Sequence, residues 1–174
     1  MALLYDGNDD NVSHGDIASA EGTNLSIGFW VYENTAANGD IVIDKFTNGV
    51  NGFRIAVSPT VTRLRFSVGA GANGVMETES SSFATGAWHH VIFVYDGAGA
   101  TDADRLKAWV NGVAQTMVVI ATMPATIVAN AVAFRSGFTA TALDGRIANV
   151  MLWNASLSDG HAASQAYIRR PITT

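Results

Sequence analysis

Residues 24–32 alternate apolar and polar without a break. Leu25, Ile27, Phe29 and Val31 share one parity; Ser26, Gly28, Trp30 and Tyr32 share the other. A period of two is that of a strand with one face in a core. The same pattern predicts strands over residues 40–46, 52–58 and 63–68, with Asn48-Gly49, Asn51-Gly52 and Ser58-Pro59 as breaks and Arg54, Arg63 and Arg65 at solvent-facing positions. The strongest strand is 88–95. Val91, Phe93 and Tyr95 form one apolar face and Ile92 and Val94 a second, which predicts cover on both sides. Residues 96–104, rich in Gly, Ala and Asp, read as a loop. Residues 106–110 and 113–120 flank Asn111-Gly112, a hairpin signal because both turn positions take positive φ. Residues 131–136 and 146–153 complete about eleven or twelve short strands. The one helix comes late: Ser158 as N-cap, Asp159 in the first turn, then Ala162, Ala163, Ala166 and Tyr167, with Pro171 as a stop. Short strands joined by turns predict an all-β, antiparallel two-sheet sandwich or jelly roll, one domain over residues 1–174.

Composition narrows what such a sandwich does. The chain has 174 residues, no cysteine and a formal net charge of −5. The missing thiols exclude disulfides, thiolate metal sites and cysteine nucleophiles. Two lysines, Lys45 and Lys107, and eight arginines, scattered except for Arg169-Arg170, do not form the basic run that nucleic acid requires. No apolar run reaches the ~18 residues of a membrane helix, and no basic amphipathic helix points to a membrane surface. No basic segment followed by an apolar stretch opens the chain. That fits synthesis without export or a trimmed signal. Charged residues are 14%, well below the roughly 25% of soluble domains. Two readings fit: a neutral surface rich in Thr, Ser and Asn, or a chain in lasting contact with neighbours.

Several strings carry a resemblance. They are Tyr5-Asp6-Gly7-Asn8-Asp9-Asp10-Asn11-Val12; Leu25-Ser26-Ile27-Gly28-Phe29-Trp30-Val31; Thr85-Gly86-Ala87-Trp88-His89-His90-Val91, running to Tyr95-Asp96-Gly97; the hairpin from Leu106 to Gly112; and Leu143-Asp144-Gly145-Arg146-Ile147 with Leu152-Trp153-Asn154 and Leu157-Ser158. In order and spacing the chain resembles the laminin-G-like, concanavalin-A-like jelly-roll family over nearly its whole length. The resemblance implies two antiparallel sheets of about six strands each, face to face, with a concave face that in many members binds glycans. It departs after Ile147, where Ala148 and Asn149 replace a frequent acidic pair, and at Ile92 and Val94, where small residues or Thr are usual.

Glucanases of this fold use a Glu-x-Asp-x-x-Glu strand pattern. None of Glu21, Glu33, Glu77 and Glu79 begins it, and Glu77-Thr78-Glu79 reads as a solvated strand edge, so no catalytic residue is assigned. His89 and His90, adjacent on a strand, point to opposite faces and cannot share a metal; the resemblance implies a structural histidine at this place, hydrogen-bonded near the strand start. Relatives bind calcium through loop carboxylates, which makes Asp9 and Asp10, beside Asp6 and Asp16, the candidate ligands; the competing reading is turn formation. Trp30 and Tyr32, opposite the core face, are the candidate aromatic platform for a glycan or a partner. Ile92 and Val94 are the candidate apolar contact. The leading expectation is a non-enzymatic interaction protein of a virion, a capsid decoration or tail-associated subunit, homo-oligomeric or docked on a lattice. The alternative is a glycan-binding lectin-type module of a larger extracellular protein, with or without calcium.

Overall fold

The computed structural model describes residues 2–35, 39–47, 51–58, 62–70, 73–79, 83–139 and 141–166. The predicted breaks at Asn48-Gly49 and Pro59, and Tyr167 and Pro171, lie outside them. The elements among the described residues are β1 (Ala2–Asp6), β2 (Asn11–Ser13), β3 (Asn24–Glu33), β4 (Ile41–Thr47), β5 (Asn51–Val57), β6 (Leu64–Ala70), β7 (Asn73–Thr78), β8 (Trp88–Asp96), α1 (Asp102–Arg105), β9 (Leu106–Val110), β10 (Val113–Gln115), β11 (Met117–Ala121), β12 (Arg135–Gly137), β13 (Asp144–Trp153) and α2 (Asp159–Gln165). They form a six-stranded sheet in the order β1-β13-β3-β8-β9-β10 and a seven-stranded sheet in the order β11-β7-β6-β5-β4-β12-β2. Paired strands are antiparallel, which makes the fold a jelly-roll sandwich.

The alternation explains the layers. Leu25, Ile27, Phe29 and Val31 of β3 and Val91, Phe93 and Tyr95 of β8 face Phe53, Ile55 and Val57 of β5 and Leu64, Phe66 and Val68 of β6, all in one buried cluster. Phe66 and Phe93 meet across the sheets with ring centroids 5.1 Å apart. Each such side chain contributes roughly 1.5–3 kcal/mol on burial, so this layer drives closure of the sandwich. The predicted hairpin forms, with φ of 52° at Asn111 and 80° at Gly112. Ser158 caps α2 by accepting from the His161 N–H.

Four local readings change. Residues 113–120 are two strands in different sheets, since the chain crosses the sandwich at Thr116 between β10 and β11. In the predicted loop 96–104, Thr101 and Asp104 cap each other's backbone and start the single turn of α1. Residues 73–78 form an inner strand rather than an edge. Gly74, which weakens the strand signal, is needed there because a Cβ would lie 2.4 Å from Pro124 Cδ. Of 131–136, only the end is strand, because the preceding backbone is committed elsewhere.

That commitment is to Lys45, a β4 residue whose side chain is fully buried. Its Nζ donates to Asp16 Oδ1 and Glu21 Oε1, both at 2.8 Å, and to the carbonyls of Asn130 at 3.0 Å and Val132 at 3.1 Å. Glu21 Oε1 also accepts the Asn130 N–H at 2.8 Å. Asn130 Nδ2 donates to the carbonyls of Lys45 and Asn51. Gly52, at φ 94°, leaves room for this node: a Cβ would lie 1.9 Å from the Lys45 carbonyl oxygen. Removing one partner of a buried ion pair leaves the other charge uncompensated, which costs about 3–5 kcal/mol. Lys45→Met is therefore expected to lower the urea-unfolding free energy by about that amount. A loss under about 1 kcal/mol, the range of an exposed pair, contradicts the clamp.

Candidate ligand-binding site

The outer face of the six-stranded sheet carries most of the residues singled out from sequence, and the chain itself covers most of them. Ile92 and Val94 form a second apolar cluster with Trp109 and Ala162 of α2, packed by Trp153, Leu157 and Ala163. The predicted second cover exists, but α2 supplies it, which corrects the expectation that these two side chains meet a partner. Trp30 is 4% exposed and packs against His90, ring centroids 5.2 Å apart. Tyr32 is half-buried, 5.7 Å from Trp88 edge-on, with the Arg146 guanidinium carbon 5.3 Å from its ring centroid. Trp30 is thus a packed residue of this face; Tyr32 keeps part of its surface. His89 turns the other way. Its Nε2 lies 2.9 Å from the Ala84 carbonyl oxygen and its Nδ1 3.2 Å from Asn111 Nδ2, tying two loops to the start of β8.

At the β1–β2 turn, Asp6, Asp9 and Asp10 bring carboxylate oxygens within 4.8 Å of one another. The turn's own backbone engages two of them. Asp10 Oδ2 accepts the Asp6 N–H at 3.0 Å and Asp6 Oδ1 accepts the Asn8 N–H at 2.9 Å. The Asn8 hydrogen bonds hold the Asp6 carboxyl below its ordinary range. Three carboxylates, two exposed and one half-buried, do not by themselves build the six to eight oxygens that calcium takes, about 2.3–2.6 Å away. The Asp6 carboxyl forms an Asx turn with the Asn8 N–H.

The outer face of the seven-stranded sheet is different. Two rows of cross-strand neighbours run over it. One is Arg135, Asp44, Arg54 and Ser67. The next is Ile41, Ala56, Arg65, Glu77 and Val118. Each arginine has a carboxylate on one side and a small residue on the other. The small residues, Ala56 and Ser67, sit together at the centre of the sheet, with Arg54 and Arg65 diagonal to each other around them. The result is a depression of about 320 Å³ over Ala56 and Ser67, walled by Arg54, Arg65, Phe46 and Ile41. That volume lies at the lower end of small-ligand pockets, roughly 300–1,000 Å³.

The guanidinium groups are held in place. Arg54 Nε donates to Asp44 Oδ1 at 2.7 Å, and its Cζ lies 5.4 Å from the Phe46 ring centroid and 5.0 Å from that of Phe138. Arg65 donates through both Nε and Nη2 to Glu77 Oε1, at 2.8 and 2.6 Å. Arg63 Nη1 is 3.8 Å from Glu77 Oε2. Burial raises the Asp44 carboxyl above its ordinary value, against the lowering effect of Arg54 and Arg135. Glu77 is thus not the solvated edge residue expected from sequence: it is 3% exposed and clamps two arginines. Arg54 engages one oxygen of Asp44, and Arg65 and Arg63 face the two oxygens of Glu77. The two acids stand three strand spacings apart, about 14 Å, beyond the roughly 5–9.5 Å of glycosidase pairs.

A two-sheet antiparallel sandwich with its open depression on the outer face of one sheet is a lectin-like jelly roll. The laminin G model of the concanavalin A-like lectin/glucanases superfamily matches residues 6–163, and the chain belongs to that family. Its fold is similar to the native heptameric SAP-like pentraxin of Limulus polyphemus (TM-score 0.69, 14% identity, 95% of this chain and 81% of that one). It is also similar to the CBM40 domain of a Ruminococcus gnavus IT-sialidase, solved with α2,3-sialyllactose (TM-score 0.67, 8% identity, 95% and 98%). A third similar structure is the binding domain of botulinum neurotoxin serotype D (TM-score 0.67, 14% identity), of which the match covers 41%. At these identities the likeness shows the fold alone. No curated protein matches the sequence.

Two of the buried titratable groups, His90 and Glu33, make the stability of the sandwich depend on pH. His90 has neither ring nitrogen hydrogen-bonded among the described residues, and burial lowers its pKa from 6.5 to about 4. Glu33, at the end of β3, has neither carboxyl oxygen hydrogen-bonded among the described residues; burial, then Asp40 and Asp144, raise its pKa from 4.5 to about 8. The His90 contribution is full above pH 6.5 and is lost as the pH falls to about 4. The Glu33 contribution is full below pH 4.5 and is lost as the pH rises through about 8. Urea midpoints across this range are expected to show Glu33→Gln gaining on the parent from pH 4.5 to 8. His90→Leu gains from pH 6.5 down to 4. A pH-independent difference for either variant removes the corresponding assignment.

Proposed function

We propose that this chain is a non-enzymatic interaction module that binds carbohydrate in the depression on the seven-stranded sheet. The observation that carries the reading is the composition of that depression. It joins an apolar lining (Ile41, Phe46, Ala56), hydroxyls (Ser67, Thr141) and fixed guanidinium donors (Arg54, Arg65) in one site of saccharide size. Small polar ligands are bound by this mixture of apolar surface and a few oriented polar groups. The lectin-like family and the sialyllactose-bound neighbour of the same fold support it. The engaged, widely separated carboxylates support a role without catalysis.

A second reading concerns where the module works. Low charge, together with exposed apolar side chains on edge strands (Leu4 of β1, Val113 of β10, Val119 and Ile120 of β11), favours a subunit of a lasting assembly. A virion is the proposed setting, the chain acting as a capsid decoration or tail-associated homo-oligomer; the extracellular setting is its competitor. The heptameric form of the pentraxin neighbour supports assembly through this fold.

Glycan-array screening of the purified protein, with and without calcium, tests the binding reading. The expected result is a defined set of bound saccharides, with Ser67→Phe, which fills the depression, losing about tenfold or more in affinity at unchanged melting temperature. Silence of the parent protein on the array ends the carbohydrate reading. Mass spectrometry of purified particles from the source lysate tests the setting. Stoichiometric presence supports the virion, and confinement to the soluble or extracellular fraction opposes it.

A further inference from the structure

The charges on the seven-stranded sheet narrow the class of saccharide. The chain carries a formal charge of −5 and only ten lysines and arginines. Arg54, Arg63, Arg65 and Arg135 all stand on this face with only two carboxylates among them: Asp44 binds Arg54 and lies beside Arg135 in register, and Glu77 faces Arg63 and Arg65. The face therefore carries an excess of positive charge on an acidic protein. The other nearby acids do not cancel it at the depression. Glu79 is exposed beyond the end of β7, and Asp40, between the lining residues Gly39 and Ile41, is buried and acts on Glu33.

The arginines also keep donors in reserve. Asp44 takes only Nε of Arg54, and Glu77 takes Nε and Nη2 of Arg65. Among the described residues, both Nη groups of Arg54 and Nη1 of Arg65 have no protein acceptor. Arg54 is 28% exposed and Arg65 31%, so these donors are reachable. As diagonal neighbours on adjacent strands the two residues stand roughly 7–8 Å apart at the backbone, a separation that one sugar residue bridges. Guanidinium groups pinned by carboxylates and rings lose little freedom when they bind, and planar N–H pairs match a carboxylate.

Resting on the carbohydrate reading, we infer that the ligand is an acidic saccharide. Its carboxylate sits against Arg65 and Arg54, with the sugar ring over Ala56 and Ser67. Two kinds of sugar offer this group, a nonulosonate such as N-acetylneuraminate and a hexuronate.

Titration calorimetry with α2,3-sialyllactose, a glucuronate-terminated disaccharide and lactose separates the cases. Binding of either acidic probe at least about tenfold tighter than lactose, weakening with added salt, is the expected result, and the tighter of the two names the sugar class. The double variant Arg65→Met/Glu77→Gln deletes a guanidinium without orphaning its carboxylate. It is expected to remove most of the preference for the acidic probe, read as the ratio of its affinity to that of lactose, in a protein that still unfolds cooperatively. Equal binding of lactose and the acidic probes, or a preference that survives the double variant, overturns this inference and leaves the carbohydrate reading standing. If none of the three binds but the array shows another neutral glycan, only the acidic inference falls. If nothing binds in either experiment, both fall.

Discussion

A buried ammonium imposes the constraint around which this sandwich is assembled. Lys45 lies at an inward position of β4, where the alternation otherwise demands an apolar side chain, and no solvent reaches it. A charge there is tolerable only when paired and fully hydrogen-bonded. Asp16, Glu21, Asn130 and Val132 meet that demand from two loops far apart in sequence. The arrangement dictates local structure in return. The segment before β12 gives up ladder pairing to supply its carbonyls, and Asn130 locks onto the backbone of β4 and β5. Position 52 must be glycine because the carbonyl of Lys45 occupies the space of a Cβ. The hydrophobic layer closes the sheets; the ammonium fixes how the loops on this side approach them.

With the interior filled, function falls to the outer faces, and these are unequal. On the six-stranded sheet Ile92, Val94 and Trp109 are too apolar to stay wet, and α2 is short, capped and alanine-rich on the side that covers them. The seven-stranded sheet instead places arginines, acids, Ala56 and Ser67 outward beside Ile41 and Phe46. A row of ion pairs interrupted by two small residues cannot be flat. The same substitution pattern that keeps this face soluble therefore makes its depression.

The alternation of β3, β5, β6 and β8 made the sandwich readable, because a period of two is a direct record of one buried face. The Asn111-Gly112 turn and the Ser158 cap were readable for equally local reasons. What escaped was long-range. Trp30 reads as an exposed aromatic because strand parity places it off the core; nothing in its neighbourhood announces that His90 packs on it. Arg54, Arg63 and Arg65 do read as outward, but as scattered charges, since Asp44, Glu77 and Arg135 join them only through sheet register. Arginine at every other position, next to residues too small to cover a sheet, was the available signal. It needed the strand order to become a site.

Charge scarcity then takes on a second meaning. In a protein with a dense, mixed surface, four arginines are one local fluctuation among many, screened within a Debye length of about 8 Å at physiological salt. Here 14% of residues are charged, and much of the positive complement stands on one face around one depression. With few competing charges nearby and low-dielectric walls beneath, such a patch dominates the field an approaching ligand meets. Asp44 and Glu77 do not defeat this. Buried beside four arginines, they leave an excess of positive charge and hold the Arg54 and Arg65 guanidinium groups in place. An acidic ligand gains attraction from the excess and geometry from the clamps, whereas a neutral one gains only the second. Selectivity between the two thus follows from how sparingly the rest of the surface is charged.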